Sequence, residues 1–145
     1  MIDDAVARRV SSHGVELAVV EAGEREHPTV VLVHGYPDRK ELWAGIAQRL
    51  AGRFHVVAYD VRGAGESSVP RGPAAYDFEA LAGDLLAVIE AVSPDAPVHL
   101  VGHDWGGIAG WELAAMPHYH PTLAEIWTYP AEELAEKIRL GGVTE

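Results

Sequence analysis

The sequence predicts an α/β protein with a mostly parallel sheet and helices on both faces. Three observations lead there. Short β-branched apolar runs alternate with segments of helical periodicity, the pattern of strands joined by crossover helices. Three of the apolar runs end in glycine-rich turns, where such folds carry their chemistry. At 145 residues with 48% hydrophobic composition, the chain is one domain by length and can bury a real core.

Residues 6–11 and 15–21 read as an initial antiparallel pair turning at His13-Gly14. Thr29-Val30-Val31-Leu32-Val33 is a run fit for a buried parallel strand. A helix is expected from Glu41 to Ala51, then a strand over 54–59 and a loop to Ala75. A second helix is expected from Phe78 to Val92, with Leu81, Leu85, Val88, Ile89 and Val92 at helical spacing. Ser93-Pro94-Asp95-Ala96-Pro97 stops it. A strand over 98–101 and a helix to Ala115 follow. Pro117 and Pro121 bracket a joint, and a last helix is expected from Ala131 to Leu140.

Gly102-His103-Asp104-Trp105-Gly106-Gly107 directly follows the apolar run 98–101. It has the form of a nucleophile elbow, with an aspartate at the tip where most such turns hold serine. Gly102 and Gly106 would relieve clashes between strand and helix. The helix N-terminus behind Asp104 favours negative charge there. A carboxylate so placed can attack an electrophilic carbon and form an ester that water then cleaves. The plainer alternative is an aspartate that caps the helix.

His34-Gly35-Tyr36-Pro37 closes the strand 29–33. Its backbone can turn the Tyr36 N–H towards the elbow, and with the Trp105 N–H this would make an oxyanion hole. Pro37 stiffens the turn, and His34 braces it. A third turn, Asp60-Val61-Arg62-Gly63-Ala64-Gly65-Glu66-Ser67-Ser68, reads as structural support, with Asp60 and Arg62 expected to pair. It lacks the Lys-Ser/Thr of a phosphate loop and the third glycine of a dinucleotide fingerprint.

Taken together, these motifs resemble the α/β-hydrolase superfamily, and within it the epoxide hydrolase and haloalkane dehalogenase group. The likeness covers residues 5–117. The stretch Phe54–Ser68 is especially similar to the hydrolase half of actinobacterial proteins that join such a domain to a short-chain dehydrogenase. Dehalogenases of the group usually hold an asparagine halide ligand where Tyr36 stands, which favours the epoxide hydrolase branch. The resemblance implies Asp104 as nucleophile and the Tyr36 and Trp105 backbones as oxyanion donors. It implies a small hydrophobic substrate such as an epoxide.

The resemblance also implies a histidine base, an acid to orient it and cap tyrosines, and none is identifiable here. Thr122–Tyr129 is a poor candidate for the next strand. A truncated α/β-hydrolase fold is therefore expected, with later strands and cap missing. The domains read as 1–117, a partial hydrolase, and 118–145, a helical tail of different origin. The edge along Val98–Val101 would lie unpaired and invite a second chain. His118-Tyr119-His120-Pro121-Thr122-Leu123-Ala124-Glu125 is similar to the C-terminal segment of flavin-dependent disulfide reductases, which would make His120 an acid–base group oriented by Glu125. A Pro-initiated helix behind exposed histidines is the plainer reading. His120 and His118 are the only bases on offer for the elbow, from this chain or a partner.

Two function classes stay open: an epoxide hydrolase-type protein that turns over poorly alone, and a non-catalytic fusion remnant that binds or oligomerises. Zero cysteines exclude disulfides and thiol catalysis and leave the redox compartment open, with the cytoplasm as default. The N-terminus has no leader-like apolar region, and no run approaches a membrane span. A net charge of −11 argues against nucleic acid and anionic membranes. No cofactor is expected, and His118 with His120 cannot complete a metal shell. His55 and His99 read as sheet residues, His103 points away from the reacting atoms, Trp105 lines a pocket, and Trp111 packs in the core.

Overall fold

The computed structural model describes residues 5–115 and the backbone of residues 125–128. Its strands are β1 (Val6–Ser12), β2 (Val15–Ala22), β3 (Thr29–Val33), β4 (His55–Tyr59), β5 (Val98–Gly102) and β6 (Glu125–Thr128). Its helices are α1 (Ala44–Leu50), α2 (Phe78–Val92) and α3 (Trp105–Ala115). The strands form one mixed six-stranded sheet in the order β1-β2-β4-β3-β5-β6. β1 and β2 are antiparallel and joined at His13-Gly14, both at positive φ (42° and 83°), as a two-residue hairpin turn requires. β4, β3, β5 and β6 run parallel.

Strand alternation sorts the core into two layers. Val31, Val33, Val57, Tyr59 and Leu100 face α2 and α3 and meet Leu85, Val88, Ile89 and Leu113. Val30, Leu32, Val56 and Ala58 face the other way, onto Trp43 and Ala47. β3 and β4 are buried along their whole length, because helices cover both faces of the sheet centre. The C-terminal ends of β3, β4 and β5 therefore share one end of the molecule, and each leads into one of the three turn motifs.

Three expectations need correction. Residues 125–128 form β6, which pairs in parallel with β5 (His99↔Glu125 to Gly102↔Thr128). The edge along Val98–Val101 is thus covered, and these four tail residues are strand rather than helix. The β-branched and aromatic residues of Ile126-Trp127-Thr128 suit a short strand, and β5 supplied unpaired backbone groups for it. The helix expected over Glu41–Ala51 divides into a 3₁₀ turn at Lys40–Trp43 and α1. Lys40 is held to Asp60 through both its N–H and its Nζ, which tightens that first turn. The helix expected over Ala131–Leu140 lies outside the described residues.

Candidate active site

Asp104 sits between β5 and α3 with φ 54°, in the left-handed region. That conformation costs a non-glycine residue about 1 kcal/mol or more, and aspartate tolerates it better than most. The turn is closed by Gly106 N–H donating to the His103 carbonyl (2.9 Å) and Gly107 N–H donating to that of Asp104 (3.0 Å). Two glycines allow the chain to close this tightly. A Cβ on Gly102 would lie 2.6 Å from the Gly106–Gly107 backbone, and one on Gly106 would collide with the Val33 and His34 carbonyls. Gly106 therefore lets α3 approach the end of β3, not only its own strand.

The result is an exposed carboxylate at the sheet end. Its Oδ2 accepts the Tyr36 N–H at 3.1 Å. This separates Asp104 from a capping aspartate. Asp77, before α2, accepts from Ala80 N–H (2.8 Å), the usual cap bond. Among the described residues, the bond recorded for the Asp104 carboxylate goes instead to the neighbouring turn.

That turn is built to reach it. His103 N–H donates to the Val33 carbonyl (3.0 Å), tying the elbow to the end of β3. Asp38 N–H donates to the Gly35 carbonyl (3.0 Å), closing a turn with a cis Tyr36–Pro37 bond inside it. Gly35 has no room for a side chain: a Cβ would lie 2.5 Å from the Asp104 Cβ. His34 is fully buried, with Nδ1 2.8 Å from the Gly35 carbonyl and Nε2 3.1 Å from Val61 N. Trp105 opens α3 directly after the carboxylate. Tyr36 and Trp105 also help line a cavity of about 660 Å³, with Pro37, Tyr59, Val61 and Leu81 among its other walls. Phe78 packs beside Trp105 with ring centres 5.7 Å apart.

The third turn supports the site, though not through the expected pair. Asp60 and Arg62 take different partners. Arg62 forms a two-pronged pair with Asp84 of α2 (2.7 Å twice) and donates to the Ala75 carbonyl (2.7 Å). Its guanidinium is held charged chiefly by that carboxylate. Asp60, fully buried, accepts from Lys40 N–H (2.8 Å), Lys40 Nζ (2.7 Å) and Glu66 N–H (2.9 Å). Burial pushes its carboxyl up, but these donors outweigh that and hold it below the usual range. Burial likewise lowers the Lys40 ammonium's pKa, and Asp60, Glu66 and Glu41 more than reverse it. The pattern of partners was not readable locally, because Lys40 and Asp84 are 20 and 22 residues away from Asp60 and Arg62.

Other expectations divide. His103 Nδ1 lies 3.8 Å from Asp38 Oδ2, beyond hydrogen-bond distance. His55 is a buried sheet residue, but it pairs with Glu21 at 2.9 Å. Burial raises the Glu21 carboxyl, while Arg8, His55 and Arg25 pull it below the usual range. Trp111 is 61% exposed rather than packed. α3 approaches the core through Gly106, Gly107, Ala109, Gly110 and Leu113, so the bulky residue faces out. His118 and His120 lie outside the described residues. Among the described residues no group of three metal-ligating side chains occurs, and no helix is long and apolar enough to cross a membrane.

Comparisons with known proteins agree with this architecture. The family described as alpha/beta hydrolase fold matches residues 28–123. The chain is 49% identical over 107 residues to the protein named probable oxidoreductase EphD of Mycobacterium tuberculosis, covering 74% of this chain and 18% of that protein. It is 43% identical over 105 residues to epoxide hydrolase A of the same organism, covering 72% and 32%. The crystal structure of epoxide hydrolase A from Mycobacterium thermoresistibile superposes with a TM-score of 0.69 at 39% identity, covering 76% of this chain and 34% of that one. The chain thus spans about a fifth to a third of the length of these relatives. The tail's likeness to flavin-dependent disulfide reductases has no counterpart among these relatives. With a matched family, a parallel sheet centre and an aspartate-bearing elbow, the chain belongs to the alpha/beta hydrolase fold family.

Proposed function

We propose that this chain carries the nucleophile side of an epoxide hydrolase-type site, acting on a small hydrophobic epoxide. The observation that supports it most is Asp104 itself: exposed, at φ 54°, with one carboxylate oxygen bound by the Tyr36 N–H beside a largely apolar-walled cavity. The free oxygen attacks an epoxide carbon, the C–O ring bond breaks, and the alkoxide takes a proton from water. This leaves an ester on Asp104. Water then adds to the ester carbonyl, whose developing negative charge is met by the Tyr36 and Trp105 N–H groups. Collapse releases the diol and restores the carboxylate.

The second step needs a base within hydrogen-bond reach of the attacking water. His120 and His118 are the chain's candidates, from the same chain or a partner. We expect slow turnover at best, with a long-lived ester. A cytoplasmic location belongs to the same reading, as the default compartment. To test it, incubate the full chain with an aryl epoxide and follow intact mass and diol. A stoichiometric adduct on Asp104, absent in Asp104→Ala, is the expected result. The absence of both adduct and diol would sink the reading.

A second reading is favoured by one observation. Trp105, Ile108 and Trp111 are all exposed along α3, an apolar stripe of the kind that marks interaction surfaces. A binding or oligomerising module would use it without chemistry. Sedimentation of the chain across a concentration series distinguishes the two: self-association lost in Trp111→Ser supports the module.

A further inference from the structure

We propose that His34 is a positioning residue: by holding the Gly35 carbonyl it aims the Tyr36 N–H at the Asp104 carboxylate. This rests on the nucleophile reading of Asp104 given above. A trans peptide is planar, and its C=O and N–H point in opposite directions. The peptide between Gly35 and Tyr36 is trans, since the cis bond here is the next one, Tyr36–Pro37. Whatever fixes the Gly35 carbonyl therefore fixes the direction of the Tyr36 N–H.

The carbonyl is fixed from two sides, by His34 Nδ1 (2.8 Å) and by Asp38 N–H (3.0 Å). The opposite end of the same peptide meets Asp104 Oδ2 at 3.1 Å. The imidazole is itself held. A carbonyl has no proton to give, so Nδ1 donates; an amide has no lone pair to offer, so Nε2 accepts from Val61 N–H at 3.1 Å. Both ring nitrogens are thus committed, in one tautomer, inside a fully buried site. The charged group facing the ring is Asp60, with Oδ1 3.8 Å from Nε2, and it also holds Lys40 N–H at the far end of the turn. Little slack remains between turn and elbow, because a Cβ on Gly35 would lie 2.8 Å from the His103 carbonyl.

The two nitrogens have separable jobs, and two amide replacements separate them. Asparagine places an N–H near Nδ1; glutamine reaches the place of Nε2. The test reads the Tyr36 amide resonance by ¹H–¹⁵N NMR of the full chain. In wild type, Asp104→Asn shifts that resonance by changing its acceptor. In a His34→Asn background the shift persists; in His34→Gln it is lost. An undiminished shift in His34→Gln overturns the proposal. Wild-type imidazole ¹⁵N shifts provide a check that needs no variant: an Nδ1–H tautomer supports the role, and an Nε2–H tautomer overturns it. With an aryl epoxide, the Asp104 ester decays on the order of tenfold more slowly in His34→Gln, and less slowly than that in His34→Asn. A wild type that never forms the ester removes the nucleophile reading, while the amide coupling still judges His34. An ester that forms with coupling intact in His34→Gln overturns the His34 role alone.

Discussion

Asp60 and Asp104 stand at the same end of one sheet, just after β4 and β5, the parallel strands that flank β3. They are the same residue type and do opposite things. Asp60 is fully buried and accepts three hydrogen bonds, one from an ammonium, so both its oxygens are occupied. Asp104 is exposed, has one oxygen on the Tyr36 N–H, and keeps the other available. The first ties two loops together; the second keeps the open oxygen that the proposed nucleophile needs. Donor count and exposure, not residue identity, separate the bracing carboxylate from the proposed nucleophile at this end of the fold.

The strongest way to break that comparison is to neutralise each aspartate in turn. Asp60→Asn leaves the buried Lys40 ammonium without its main partner and should cost about 3–5 kcal/mol. Asp104→Asn should change stability by less than about 1 kcal/mol, since asparagine also accepts the left-handed region. Urea midpoints of the two variants check this, and equal losses would erase the distinction.

Close packing beneath the elbow comes next. Gly102→Ala places a methyl 2.6 Å from the α3 backbone and should cost about 2–3 kcal/mol. Calorimetric melting of the variant measures it, and a wild-type midpoint would show that the turn has room to relax.

Acid sharpens the contrast further. The folded carboxyls of Asp60 and Glu21 lie below their ordinary values. Their contribution is therefore present above the unfolded carboxylate range, about 4, and is lost as pH falls through the folded values. Lys40 is raised above 10.5, so its share is present below that value and is lost as pH rises through the folded one. Stability should fall on acidification, and Asp60→Asn should flatten that acid limb in urea melts taken across pH.

The smallest expected effect is on α3. Trp111→Ser removes an exposed ring and should shift stability by no more than about 0.5 kcal/mol. Trp43→Ala, which empties a site only 3% exposed, should cost about 3–5 kcal/mol. Thermal melts of both variants check the pair.

Strands β3, β4 and β5, the hairpin turn and α2 were legible because their signals are local. Apolar period, a two-residue turn and a Pro-bounded stop are each contained within one element. The elbow was legible for the same reason, since glycines at 102 and 106 mark a backbone constraint that no side chain could meet. β6 was not, because a four-residue strand has little pattern of its own and exists through pairing with β5. Nor were the partners of Asp60 and Arg62, or the outward face of Trp111, legible in their own turns and helix.

The sequence by itself determined the parallel α/β core, the places of the three turns and the aspartate at position 104, since spacing and backbone constraint act over a few residues. Tertiary structure alone decided which charges pair, which tryptophan faces water and that the Tyr36 amide meets the Asp104 carboxylate. These depend on surfaces brought together from residues 20 to 68 positions apart, and no short window of sequence contains both halves of such a contact.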